Sequence, residues 1–217
     1  MISNVELARN NMIEQQIRPW DVLDQRVLEL LKKVKREQFV PSGLQAMAFM
    51  DIEIPLGHRA FMWQPKLEAR VVQALGIRGG EHVLEVGSGS GYLAALMSRL
   101  AAQVTSVEIV PELHALARKN VEAHRLDNVT LELGDGAQGW NGTYDVIVLA
   151  GSVPVLPEAF QNSLKPGGRL FAIVGDAPAM QAKLISCERP GVFVNTNLFE
   201  TSVTPLQNAL QPERFEF

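Results

Sequence analysis

Apolar residues recur at helical spacing through the first third of the chain and in short runs after residue 81. Ser3 followed by Glu6 has the spacing of a capping box, and Val5, Met12 and Ile13 line one face of a helix predicted to end before Pro19. A second helix is predicted after Asp21, with Leu23, Val27, Leu30, Leu31 and Val34 as its apolar stripe and an end near Val40 and Pro41. The segment MDIEIPLGHRAFMW keeps no period and reads as irregular. Pro65 then suits a first helical turn, with Leu67, Val71, Val72 and Leu75 on the buried side before Gly79 and Gly80.

From His82 the pattern alternates short apolar runs with amphipathic helices, as in successive βαβ units. Strands are predicted at HVLEV, VTSVE, VTLEL, DVIVLA and RLFAIVG, with helices over 92–100, 111–124 and 157–164. LKPGGR reads as a helix stop with a tight turn. AKLISCE and VFVNTNLFE, separated by RPG, predict an antiparallel hairpin that finishes the sheet. The expected fold is α/β: a doubly wound, Rossmann-like, mostly parallel sheet of about seven strands, preceded by an N-terminal helical segment.

Composition narrows the setting. With 217 residues, 47% of them hydrophobic and 20% charged, the chain can bury one full core and leaves little room for a second large domain. A formal charge of -4 gives no general attraction to nucleic acid or to anionic lipid. Cys187 is the only cysteine, so no intrachain disulfide forms, and none of the four histidines has the spacing of a metal pair. MISNVELARNNMIEQQ has neither a basic nor an apolar leader region, and no stretch approaches the ~18 apolar residues of a membrane span. A cytoplasmic protein with no metal, membrane or nucleic-acid partner is expected.

Candidate chemistry begins where the first predicted strand runs into Glu85-Val86-Gly87-Ser88-Gly89-Ser90-Gly91 and then a helix. Glycines there let a ligand approach bare backbone; the bland alternative is a tight turn without a ligand. A dinucleotide loop would require glycine where Tyr92 stands. Glu108 ends the second strand, where a carboxylate can accept from two ribose hydroxyls and repels a 2′-phosphate. Asp135 ends the third beside Gly136, placed to accept from an adenine amino group. Each acid alone reads as a solvated or turn residue, but three at successive strand ends suit a cationic, phosphate-free nucleoside such as S-adenosylmethionine.

VLEVGSGSGY, VEIVPEL and LGDGAQGW together resemble the cofactor segments of class I methyltransferases. With REQFVP, IPLGH, LKPGGRLFAIVG and a final PERF, the chain resembles the protein-L-isoaspartate O-methyltransferase family over most of its length. The resemblance implies one S-adenosylmethionine-dependent domain over 1–217, with residues 1–75 a helical and active-site-loop segment and 76–217 the α/β core. It implies cofactor contacts from Glu85, Gly87, Gly89, Gly91, Glu108, Ile109, Asp135 and Gly136. The implied acceptor is the carboxylate of an L-isoaspartyl residue in a protein or peptide.

One block departs from the family. Where its members typically carry Gly-Gln-Thr-Ile-Ser, this chain has Arg59, Ala60, Phe61, Met62 and Trp63, so the Thr position is Phe61 and the Ser position Trp63. Either these side chains pack as core under an altered loop, or the acceptor pocket has changed, with poor isoaspartyl methylation as the expected result. Candidate acceptor-pocket residues are His58, Arg59, Phe61, Trp63 and Ser152, and His58 and Arg59 can present positive charge to an anion. An ionised carboxylate acceptor needs no general base, so no catalytic residue is assigned. Alternatives are a methyltransferase for another protein group or a small molecule, and a cofactor-binding module without catalysis.

Overall fold

The computed structural model describes residues 4–212. Its centre is a seven-stranded sheet of β3 (His82–Val86), β4 (Gln103–Glu108), β5 (Val129–Leu133), β6 (Tyr144–Val153), β7 (Leu164–Val174), β8 (Met180–Arg189) and β9 (Val192–Thr201), in the order β5-β4-β3-β6-β7-β8-β9. The first five are mutually parallel; β8 and β9 return antiparallel as the expected terminal hairpin. The chain runs outward from β3 to β5 and then crosses to β6, so the strand order reverses between β3 and β6. In doubly wound sheets that reversal opens a crevice at the strands' carboxyl ends.

Period-two alternation builds a core on each face. Val146, Val148, Phe171 and Ile173 join Met12, Ile17, Leu67 and Leu96 on one side. Ile147, Leu149, Leu170 and Ala172 join Phe160 and Tyr144 on the other. The first side is covered by α1 (Asn4–Met12), α2 (Gln25–Lys33), α3 (Pro65–Leu75) and α4 (Tyr92–Ser98). Two further helices are α5 (Pro111–Ala123) and α6 (Glu158–Asn162). Among the described residues, no helix is long and apolar enough to cross a membrane.

Several local expectations are corrected. The first helix does not stop cleanly before Pro19: after α1 the chain makes a π turn at Ile13–Ile17 and a 3-10 turn at Arg18–Trp20 that holds the proline. Val5 is exposed, and Ser3 lies outside the described residues. Leu23 is 63% exposed, because α2 begins only after its cap, Asp24, whose carboxylate accepts from the Arg26 amide. The helix ends at Lys33, and a 3-10 turn at Arg36–Gln38 follows. There buried Arg36 contacts Glu68 and donates to the carbonyls of Ala48 and Trp63, a set of tertiary partners with no local signature.

The segment read as irregular is a small antiparallel hairpin of β1 (Ile54–Gly57) and β2 (Ala60–Met62), too short to display a period. Gly57, His58 and Arg59 turn it with φ of 88°, 51° and 62°. Gly167 and Gly168 do not form a free turn after a helix; they belong to an irregular start of β7. A Cβ on Gly168 would lie 2.8 Å from the Lys165 carbonyl oxygen and 2.9 Å from that of Asp145. Finally, β6 does not end at Ala150 but continues through Ser152, which pairs with Ile173.

Candidate active site

A pocket lies at the carboxyl ends of β3, β4, β5 and β6, where open α/β sheets bind their ligands. Gly87, Gly89, Glu108, Ile109, Asp135 and Gly136 all line it, as do Arg59, Phe61 and Trp63 from the hairpin side. A smaller adjoining cavity is bounded by Glu85, Ser88, Tyr92, Phe61 and Trp63. The fold thus brings together segments as far apart in the chain as Glu53 and Gln207.

The loop after β3 is shaped by its glycines. Gly87, Gly89 and Gly91 have φ of 100°, 51° and 79°, a region that residues with a Cβ enter only with strain. A Cβ on Gly89 would lie 3.1 Å from Leu56 of the hairpin, and one on Gly91 3.4 Å from Ala117 of α5. Gly91 caps α4 and does not line either cavity, and Gly136 packs against Val86 and Val107. These two glycines serve close packing around the site.

Glu108 fixes the loop. Its Oε2 accepts from the Gly89 amide at 2.9 Å and its Oε1 from the Val110 amide at 3.0 Å. Each carboxylate oxygen retains a second acceptor site, which is what a pair of ribose hydroxyls requires. Asp135 is held from both sides: Oδ1 accepts from the Ala137 amide at 3.0 Å and Oδ2 from Asn208 Nδ2 at 2.8 Å. Asn208 follows residues 204–207, all of which line the cavity. The sequence does not announce this closing segment; its polar residues carry no motif, and only the close approach of Leu206 to Gly151, where a Cβ would lie 2.8 Å away, gives it a trace in composition.

Glu85 is completely buried. It accepts a short hydrogen bond from Ser106, whose hydroxyl lies 2.6 Å from that of Ser88, while Oε1 has no partner. Burial pushes its carboxyl up to about 8, opposed by the Ser106 bond and reinforced by the charges of Glu108 and Glu68. An orphaned buried acceptor next to an acid-lined cavity fits a ligand that brings cationic donors. Glu53, another carboxyl at the cavity wall, is also raised by desolvation.

The acceptor-side candidates separate. Arg59 lines the main cavity, is exposed, and is the only cationic side chain among the described residues that line it. His58 points elsewhere, with Nε2 4.0 Å from Glu112, and lines neither cavity. Ser152 is not at the pocket: it is fully buried on β6 and donates to the Val203 carbonyl at 3.2 Å. Met62 and Trp63 are core residues at 4% and 6% exposure, whereas Phe61 is 40% exposed on the cavity wall. The replaced block is therefore part core and part pocket.

Comparison with known proteins agrees with this geometry. The family model described as protein-L-isoaspartate(D-aspartate) O-methyltransferase matches residues 7–211. A protein-L-isoaspartate O-methyltransferase 1 of Anaeromyxobacter sp. (strain Fw109-5) is 40% identical over 192 residues, covering 87% of this chain and 91% of its own. A second from the same strain, protein-L-isoaspartate O-methyltransferase 2, is 35% identical over 98% of this chain and 84% of its own. Among solved structures, a protein-L-isoaspartate O-methyltransferase at 28% identity superposes with a TM-score of 0.78 over 91% of this chain, which spans 65% of that longer one. A Plasmodium falciparum protein solved with S-adenosyl-L-homocysteine shares the fold, with a TM-score of 0.79 at 19% identity over 94% of this chain and 99% of its own. The chain belongs to the protein-L-isoaspartate(D-aspartate) O-methyltransferase family, whose members are S-adenosylmethionine-dependent methyltransferases.

Proposed function

We propose that the protein transfers the methyl group of S-adenosylmethionine to the carboxylate of an L-isoaspartyl residue in a protein or peptide, and that Arg59 anchors that carboxylate. The observation that carries this reading is the charge pattern of the main cavity: Glu53, Glu108 and Asp135 on its walls, and Arg59 as the one cation among the described residues lining it. The acids suit a phosphate-free, positively charged cofactor. The guanidinium suits an anionic acceptor, because a carboxylate leaving water needs charged donors to replace its hydration.

Bound in the cavity, the cofactor supplies an electrophilic methyl group on a sulfonium. The residues of this chain have three tasks: Glu108 and Asp135 hold the nucleoside, the hairpin excludes water, and Arg59 aligns the acceptor oxygen. The acceptor carboxylate is already ionised at neutral pH, so no general base is required. Neither cavity has a histidine in its wall. The cofactor contacts proposed are Glu85, Gly87, Gly89, Glu108, Ile109 and Asp135, with Gly91 and Gly136 acting through packing.

A second reading keeps methyl transfer and changes the acceptor; it is favoured by Phe61, whose exposed ring stands where the family has a hydroxyl. Arg59→Ala separates the two. The first reading expects the KM for an isoaspartyl peptide to rise at least about tenfold, the cost of a lost charged hydrogen bond, with cofactor affinity unchanged. If neither value moves, Arg59 is not the anchor. Residues 1–75 and 76–217 are inferred to form one domain, supported by the apolar cluster shared by Met12, Leu67, Val83 and Phe171. A cytoplasmic location follows from the same reading and suits the free, buried Cys187.

A further inference from the structure

Glu85 sits mid-sheet on β3, with Val148 of β6 and Ser106 of β4 beside it in register. The polar groups around it come from each neighbouring element. Strand β4 contributes Ser106 and Glu108, α3 contributes Glu68, and α4 contributes Tyr92, whose hydroxyl also lacks a partner. Arg36, the cation beside Glu68, is committed to that carboxylate and to two backbone carbonyls. Glu85 therefore has one hydroxyl donor, one orphaned oxygen, no cationic partner among the described residues, and two carboxylates for electrostatic neighbours. Ionisation in that setting lacks compensation, so the neutral acid is favoured. The side chain nevertheless forms part of the smaller cavity's wall.

We propose that Glu85 is a proton-coupled discriminator of cofactor charge: neutral in the cofactor-free protein, it releases its proton to solvent when the cationic cofactor enters and takes one back after methyl transfer. This rests on the cofactor assignment made above. A cofactor bound with its positive charge near this wall would favour the Glu85 carboxylate. In methyl transfer the acceptor oxygen would bond to the methyl carbon while the carbon–sulfur bond breaks with its electron pair staying on sulfur, so one positive charge would be lost. Glu85 would then regain a proton from water and hold the spent cofactor less strongly. The same residue thus favours substrate cofactor over spent cofactor, and does so more strongly as pH rises toward the value at which the free acid itself ionises.

Calorimetry of S-adenosylmethionine and S-adenosylhomocysteine in phosphate and in Tris, at pH 6 to 7, measures the protons exchanged; in this window the cofactor's own amino group stays protonated. The unmodified protein should release close to one proton on binding S-adenosylmethionine and fewer on binding S-adenosylhomocysteine. Affinity for the former should rise by up to about tenfold per pH unit. Glu85→Gln should bind with no such release and with a level pH profile. Binding by the unmodified protein without proton release, or an unchanged release in Glu85→Gln, overturns the proposal while leaving the cofactor assignment intact; failure to bind either compound at any pH overturns both. Infrared difference spectra give a readout that does not need the variant to bind. The carbonyl band of a protonated carboxyl should be present in the cofactor-free protein, vanish on addition of S-adenosylmethionine, and be missing in Glu85→Gln. Its absence from the unmodified protein overturns the proposal.

Discussion

Single side chains divide the labour of the site according to how many of their bonding positions the protein already uses. Glu108 spends one lone pair of each oxygen on the amides of Gly89 and Val110, so it holds the glycine loop and still faces the cavity. Glu108→Ala is expected to weaken S-adenosylmethionine binding by about 2 kcal/mol, the usual loss for charged hydrogen bonds, as read by calorimetry on a folded variant. Phe61 stands at the cavity wall with much of its ring exposed, so Phe61→Thr is expected to restore a hydroxyl to the acceptor side and lower the KM for an isoaspartyl peptide severalfold. An unchanged KM would mean the ring is neutral to the acceptor. Trp63 cannot be reverted in the same way: its ring is nearly buried, so Trp63→Ser would cost roughly 3–5 kcal/mol of core packing. At this scale the sequence was legible where backbone conformation or strand-end position demanded a residue type, as at Gly87, Gly89 and Glu108. It was not legible at Ser152, because the length of β6 decides that side chain's direction, nor between His58 and Arg59, because a turn with successive positive φ values decides which one faces inward.

The elements that close the site are those with the least periodicity. Strands β3 to β6 could be read from short apolar runs, and their carboxyl ends gave the acid positions. The β1–β2 hairpin and residues 204–208 could not, since one is too short to alternate and the other is defined by tertiary contacts alone. The closing segment is attached through Asn208 to Asp135, through Leu206 N to the Ser152 carbonyl at 2.9 Å, and through Gln207 to the His58 carbonyl at 3.4 Å. Asn208→Ala is expected to loosen that segment without unfolding the sheet. Amide hydrogen exchange should speed up selectively over residues 203–209, and cofactor affinity should fall severalfold as Asp135 loses its restraint. Unaltered exchange would show that Leu206 and Gln207 suffice. The family's final Arg-Phe pair, expected from the PERF ending, lies outside the described residues.

For the molecule as a whole, a two-sided core is combined with an electrostatic cost at two buried carboxyls, Glu68 and Glu85, both pushed up to about 8 by desolvation; Glu85 is the one without a cationic partner among the described residues. Its carboxyl, ordinarily at 4.5, is raised to about 8 in the folded chain, so the native state binds a proton that the unfolded state has lost. Stability from this group is complete below about pH 4.5 and declines as pH rises toward 8. Thermal melts of the cofactor-free protein from pH 5 to pH 8 should therefore fall more steeply than those of Glu85→Gln; parallel curves would contradict the assignment. The sheet's strands and the cofactor loop were legible because each follows from local rules of periodicity and backbone geometry. The acceptor side was not, because it is assembled from a hairpin and a closing segment that meet only in the folded chain. The proposed site is a carboxylate acceptor anchored by Arg59 beside a cofactor held by acids. Its most direct test is methyl-ester formation by the unmodified protein on an L-isoaspartyl peptide and on the same peptide with ordinary aspartate, after cofactor binding has been established on that preparation. The account predicts ester on the isoaspartyl peptide alone; cofactor binding with no ester on that peptide would contradict it.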